Sequence, residues 1–541
     1  MKKSALFLIG SALMLFPESA LPQQNSSNLN LVAHLDPAAP GISYSEVTGC
    51  GDLAIIGAFS NNSYVWIYDL ADKTKPELLS SIFVARSVKD LQVHGRYLFV
   101  SFSNGMQWYD ILEPRQPELV HDFRLAPGLN AHTFFVSGNM LYIADYYSGG
   151  IRIFDITDKR KPQPVSDIRD SAWGIHDVTV IRGRLYGAWI DGQAGLSFAD
   201  VSNPAKPREL AKARYPQAGT HNAWPTEDEK FILTTDEVGS TRHNLKIWDT
   251  RAPGRLTEIA EYTASGGGPG STIHNVYVRG KYAYISYYCE GVRIVDIADP
   301  FDPKEVAIYD FNTSTSCGGY GESNWGVYPF ANLIYASDLQ QGLYVLEFTD
   351  HPAANIAGTI IEAKTNQPVP GAMVYFLDEY PASRTNAAGK FNIPWFKDDT
   401  VRVVTEAFGY RPDTSVVITH VSATTSPVIR LTGLTTTVDQ PKDRAPRDFA
   451  LLANYPNPVS LTYSAQTQIV FHLPQRENVQ LEIFNLLGQR VRELLNAPRE
   501  SGHHVMLWNG TDDIGQRVAA GVYLMRLRAG NLVTTQRLTL Q

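Results

Sequence analysis

The stretch Gly150-Ile151-Arg152-Ile153-Phe154-Asp155-Ile156-Thr157-Asp158, with Lys161-Pro162 behind it, decides how the rest of the chain is read. Apolar Ile151 and Ile153 alternate with other residues, an aspartate ends the run, and a proline stands seven residues after that aspartate. Alternation with period two predicts a half-buried strand, because successive side chains of a strand point to opposite faces. The Asp/Pro cluster predicts a turn, in which a short carboxylate can bond its own backbone.

The pattern recurs at Val65 to Asp69, Met106 to Asp110, Leu196 to Asp200, Leu245 to Asp249 and Val292 to Asp296, with a degenerate copy at Leu343 to Glu347. The closing acids are 41, 45, 45, 49, 47 and 51 residues apart. Repeats of about 40–50 residues built from short strands are the mark of a β-propeller with one four-stranded blade per repeat. The expected fold class is therefore all-β: a seven-bladed propeller, here 29–349, followed by two small β-sandwiches.

Each repeat divides into strands a to d. In the third, these are Thr133 to Val136, Met140 to Ala144, Ile151 to Phe154 and Gln163 to Ser166. The seventh copy ends at Phe348 without a d strand, whereas Leu29 to Leu35 resembles the d segments elsewhere. The N-terminal strand is thus expected to complete the last blade and leave no open sheet edge.

Outside the repeats, Met1-Lys2-Lys3, the apolar run Ala5 to Phe16 and the small residues before Gln23 predict a secretory signal peptide over 1–23, too short for a membrane span. No later stretch is long enough to cross a bilayer. Of the cysteines Cys50, Cys289 and Cys317, the last two are expected to pair, being close in sequence and in loops of neighbouring repeats. The net charge of −8 argues against binding a nucleic-acid backbone. Residues 433–449 read as a polar, Pro-containing linker.

Aligned on strands a and b, the repeats put one residue per blade at the entrance to a: Ser45, Lys89, His132, His176, His221, His274 and Trp325. Four of the 13 histidines share this position. Asp145, Asp236 and Asp338 share a second, just after strand b. Both sets are expected to ring the mouth of the central channel. Imidazoles and carboxylates there suit a divalent metal or acid–base chemistry. Equally, polar groups at such positions can serve only to bond backbone and hold blades in register. The aspartate closing each c strand is expected to accept backbone N–H bonds in the following turn. No P-loop, H-E-x-x-H or nucleophile elbow is present.

Three resemblances to known families add to this. The Ile-x-Ile-x-Asp repeats look like LVIVD repeats. Together with Ile273-His274-Asn275-Val276-Tyr277-Val278 and Trp325-Gly326-Val327-Tyr328-Pro329-Phe330 they resemble the choice-of-anchor B family, which implies a secreted propeller with a variable C-terminal anchor and no established activity. Residues 355–432, with Thr365-Asn366-Gln367-Pro368-Val369-Pro370-Gly371-Ala372 and Asn386-Ala387-Ala388-Gly389-Lys390-Phe391, resemble the carboxypeptidase-regulatory-like sandwich, a spacer without catalytic residues. Residues 450–541, with Asn454-Tyr455-Pro456-Asn457-Pro458, Phe484-Asn485-Leu486-Leu487-Gly488-Gln489 and Ala520-Gly521-Val522-Tyr523, resemble the sorting domain of the type IX secretion system, an Ig-like fold related to the flagellar hook-capping protein. That resemblance implies export to the cell surface or medium with the type IX machinery as partner. Three functions follow as expectations: capture of an extracellular protein, glycan or small ligand by the propeller's top face, metal-dependent hydrolase or lyase chemistry at the channel, or a purely architectural role as a scaffold in the cell envelope.

Overall fold

The computed structural model describes residues 26–37, 42–60, 63–147, 149–170, 174–190, 195–238, 243–265, 271–311, 323–350, 355–376, 382–395, 399–420, 424–433, 449–451, 467–499, 502–508, 510–513 and 516–540. The signal-peptide expectation, Cys317 and most of the linker lie outside them. All regular structure among the described residues is β, and they contain no helix long and apolar enough to cross a membrane. The chain divides into two compact units, Met1–Gly433 and Leu434–Gln541.

In the first unit, seven antiparallel sheets follow one another, the first five each of four chain-consecutive strands, the last two completed by strands from the N-terminal segment. Their first strands are Tyr44–Cys50, Leu91–His94, Ala131–Ser137, Ile175–Ile181, Thr220–Pro225, Ile273–Arg279 and Asn324–Phe330. Each touches the next, and the seventh touches the first, so the sheets form a closed ring around their inner strands. The sequence shows why those strands lie inside. Their residues are buried on both faces, as in Thr220–Pro225, while outer strands such as Gln163–Arg169 are largely exposed.

The seventh sheet takes its fourth strand from the other end of the chain. Leu29–Leu35 pairs antiparallel with Gly342–Phe348, Leu29 opposite Phe348 and Leu35 opposite Leu343. Just before it, Ser26–Ser27 pairs with Lys304–Tyr309 of the sixth sheet. The N-terminal segment thus holds two neighbouring blades and covers an edge that would otherwise be open.

The aspartate closing each third strand behaves as its chemistry predicts. Asp69, Asp110, Asp155, Asp200, Asp249 and Asp296 each accept the N–H of the residue two further on, at 2.7–3.0 Å. These bonds fix the turn into the outer strand. Glu347 has no such turn to make and instead pairs with Lys73 and Asn332.

The sandwich after the propeller has sheets Lys390–Pro394/Asn355–Glu362/Val428–Leu431 and Ser383–Arg384/Met373–Phe376/Asp399–Glu406/Asp413–Thr419, closed over Ile360, Val374, Phe391 and Trp395. Met373 and Ala382 also join the core between the first two blades. The second unit packs a three-stranded against a four-stranded sheet around Phe471, Leu481, Trp508 and Met525.

Candidate functional site at the propeller channel

A recurring irregularity positions the site. In each described blade the innermost strand loses register with its neighbour near its first residue. His132 lies between the pairs Ala131/Asp145 and Thr133/Ala144. His176, His221 and Trp325 occupy the same unpaired place in blades 4, 5 and 7, and His274 with Asn275 in blade 6. In blade 2, the Lys89 N–H donates to the Ser101 carbonyl, and the Ser101 N–H to that of Asp90, again two residues against one. A β-bulge re-aims a side chain out of the sheet's alternation. Here the bulged residues of successive blades turn toward the common axis.

They meet there as a continuous arc. Ring centroids are 4.2 Å apart for His132–His176, 4.0 Å for His176–His221, 4.1 Å for His221–His274 and 4.2 Å for His274–Trp325. Trp325 meets Phe59 edge-on at 4.6 Å, and the Lys89 Nζ stands 4.9 Å over the Phe59 ring. The circle therefore closes through Phe59. Ser45, aligned to this position in blade 1, is buried and does not reach the channel. Its small side chain leaves room that Phe59, one residue past the second strand, fills.

Beneath the arc lies a second layer from the next residue of each inner strand. Glu46, Asp90, Thr133, Asp177, Asn222 and Asn275 line the same cavity, of about 190 Å³. Its groups bond across blades. Asn222 Nδ2 donates to Asp177 Oδ2 at 2.5 Å, and Asn222 Oδ1 accepts the Val276 N–H at 3.2 Å. Asp90 Oδ2 accepts the Phe134 N–H at 3.1 Å. Deeper still, Gln92 exchanges two bonds with the Val136 backbone.

Burial sets the charge of both layers. Desolvation drives the His132 imidazole down to about 4, helped by Lys89, and His274 down to about 3. His176 and His221 lie well below the usual imidazole range for the same reason, each also opposed by its histidine neighbours. All four are neutral near pH 7. Burial raises Glu46 to about 8 and Asp90 well above the carboxylate range, with Asp177 also raised. Lys89 is lowered by burial.

The three aspartates of the second expected set do not line this cavity, which corrects their expected place at its mouth. Each is the last residue of a second strand, paired with the first residue of the inner one. Their carboxylates turn to local partners. Asp145 takes the Asn130 N–H and Arg152, Asp236 takes Tyr215 and Thr220, and Asp338 takes Ser323 and two backbone N–H groups. The channel-facing position lies one residue further along the chain. The residue after each aspartate has left the strand and is free of its alternation. At that position Glu237, like Phe59 in blade 1, faces the channel, its N–H tied to the Gly219 carbonyl at 2.9 Å.

Glu237 is the acid that sequence reasoning missed. It is buried, with His221 Nε2 3.7 Å from its Oε2 and His274 Nε2 3.9 Å from its Oε1. Tyr288 donates to Oε1 at 2.5 Å. Desolvation raises its carboxyl to about 7. Among the described residues, His176, His221 and Glu237 form the one cluster whose ligand atoms converge, all within 4.8 Å of one another. Cys289 is disulfide-bonded and Cys50 is a buried free thiol; neither lines the channel.

Comparison with known families agrees with the repeat geometry. Residues 85–124, 130–167 and 270–311 match the LVIVD repeat. The chain carries LVIVD repeats. Beyond them, residues 356–439 match the CarboxypepD_reg-like domain and 459–539 the FlgD Ig-like domain. Nothing matches among curated proteins. Solved structures similar to the LVIVD-repeat chain include Kuenenia stuttgartiensis hydrazine synthase, at 16% identity and TM-score 0.44 over 59% of this chain and 98% of that one. The Cps50 (Swd1) β-propeller domain of Myceliophteria thermophila is similar at 13% identity and TM-score 0.41, over 59% and 100%. A functionally unknown protein from Desulfotomaculum acetoxidans is similar at 11% and 0.41, over 52% and 89%.

Proposed function

We propose that this is an exported surface or secreted protein whose LVIVD-repeat propeller binds an extracellular ligand at its channel mouth. One observation carries the reading: each described blade bends its inner strand at the same place, and six of the seven aim the bulged side chain at one cavity. Bulges cost ladder hydrogen bonds, and seven in register serve a common site better than they serve packing. The cavity is smaller than the roughly 300–1,000 Å³ typical of a whole small-ligand pocket. It therefore takes the end of a ligand, a sugar or side-chain-sized group, while the remainder lies over Trp325, Tyr146 and the exposed Tyr147 on the top face.

Export by the type IX route rests on the C-terminal Ig-like domain and its resemblance to sorting domains, and the layout fits the choice-of-anchor B family. The rival reading, a metal-dependent hydrolase or lyase, is favoured by the convergence of His176, His221 and Glu237. The test is thermal unfolding of the purified full chain against glycans and small metabolites, beside Lys89→Ala and Trp325→Ala. A ligand at about 100 times its Kd adds roughly 2.7 kcal/mol of stability. The reading expects a stabilising ligand whose effect both variants lose. Stabilisation that both variants retain would place binding elsewhere.

A further inference from the structure

The environment of Glu237 calls for a cation. Its two oxygens each face an imidazole Nε2, at 3.7 Å for His221 and 3.9 Å for His274. Those distances exceed a hydrogen bond. The tautomer of His274 sharpens the point. Its Nδ1 is 2.7 Å from the Trp325 carbonyl, which can only accept, so Nδ1 carries the proton. Nε2 is then a lone pair, and it is buried with no partner. A lone pair aimed at a carboxylate oxygen is repulsive unless a proton or a metal cation sits between them. His221 and His176 stand next in the arc, each with a buried Nδ1 that makes no hydrogen bond to the described residues.

We propose that His176, His221 and Glu237 hold a divalent transition-metal ion of the zinc type at the channel mouth, with His274 closing the fourth side. Two nitrogens, a third at the edge and one carboxylate are a borderline-soft donor set that selects such metals over magnesium or calcium. Metal–ligand bonds of about 2.0–2.1 Å in a tetrahedron put ligand atoms roughly 3.3 Å apart. The present separations of 3.7 Å for His221/Glu237 and up to 4.8 Å for the full cluster close to that value by modest rotation of side chains. The surroundings are those of an orienting shell. A backbone carbonyl fixes the His274 tautomer, as commonly seen for metal-bound histidine, and the Tyr288 hydroxyl holds Glu237. The ion faces the cavity, so a ligand entering from the top face would meet it.

The inference deepens the binding reading above, but its test needs no ligand, so either can fail alone. The full chain is stripped with a chelator, dialysed, and titrated with Zn²⁺ by calorimetry and with Co²⁺ by visible absorption. The expected result is one equivalent bound, with the intense d–d bands of a four-coordinate nitrogen/oxygen site. His221→Ala and Glu237→Gln should each weaken uptake 100-fold or more, and His274→Ala about 10-fold. His121→Ala, on an outer strand away from the channel, should leave it within about 2-fold. Circular dichroism checks that each variant is folded, and Glu237→Asp offers a milder change should Glu237→Gln unfold the blade. No stoichiometric uptake by folded wild-type protein, or uptake indifferent to both His221→Ala and Glu237→Gln, overturns the proposal.

Discussion

Asn275 donates to Glu46 across the channel at 2.9 Å, from the sixth blade to the first, passing the seventh. The bond is possible because the seventh blade places Gly326 at the position where other blades carry a side chain into this layer. A Cβ on Gly326 would stand 2.3 Å from Glu46 Oε1 and 2.8 Å from Ser337 Oγ. Gly326→Ala should therefore destabilise the propeller by about 1–3 kcal/mol, the usual cost of overpacking. Glu46→Ala removes the first clash, so the double variant should regain part of the loss. A chemical-denaturation cycle measures it, and purely additive effects would show that the two residues do not meet.

The same Glu46 predicts a pH dependence. Its carboxyl is raised by burial from an ordinary 4.5 to about 8. A raised carboxyl binds its proton more tightly in the folded state, so its contribution is complete below about 4.5 and lost as pH rises through 8. The whole shift corresponds to something on the order of 5 kcal/mol, an upper bound. Asp155 and Asp249 act with the opposite sign. Hydrogen bonds, to Thr157 and to Arg251 respectively, lower them, so their share is present above the ordinary 3.8 and lost in acid. The four buried histidines, lowered from 6.5, oppose Glu46 below about pH 6.5, so the decline it causes should show between about pH 6.5 and 8, and stability should fall again in acid. In Glu46→Gln the alkaline decline should be visibly shallower; an unchanged slope between about pH 6.5 and 8 would remove Glu46 as its source.

Much of this was legible in the sequence, and what was not has physical reasons. The strand-c aspartates mark the turns because the carboxylate and its N–H partner are two residues apart, a local fact. The histidine arc is legible because the bulge recurs in every described blade at one repeat position. Ser45 and the second set of aspartates were misplaced for a related reason. Whether a side chain at a strand end points into a channel depends on a one-residue change of alternation, which the repeat pattern does not mark. Glu237, one residue beyond Asp236, fell on the wrong side of that boundary. The lower layer was invisible because its residues, Glu46, Asp90, Thr133, Asp177, Asn222 and Asn275, share a type in at most two blades, so that no single residue signals their common place.

Cys50 offers a simple probe of the blade core. It sits in the cluster formed by the first two blades and the following sandwich, and burial pushes its thiol up to about 12. The thiolate is the reactive form. Native protein should therefore show almost no alkylation by iodoacetamide at pH 8 over an hour, and full reaction in denaturant. Rapid native labelling would mean that this junction opens readily.

The closure of the ring rests on a strand from the far end of the chain. Leu29 is buried opposite Phe348, and its side chain joins Tyr282, Tyr344 and Leu346 in the core between the last two blades. Leu29→Ala should cost about 2–5 kcal/mol, as for other buried leucines. Deleting residues 29–35 is a stronger intervention, since it strips Gly342–Phe348 of its ladder partner and exposes an edge. The deleted protein is expected to unfold at lower temperature and to self-associate, whereas Leu29→Ala should remain monomeric and merely less stable. Light scattering beside thermal melts separates the two. If the deletion melts like wild type, Leu29–Leu35 contributes nothing to closure, and the seven blades hold together through their inner strands alone.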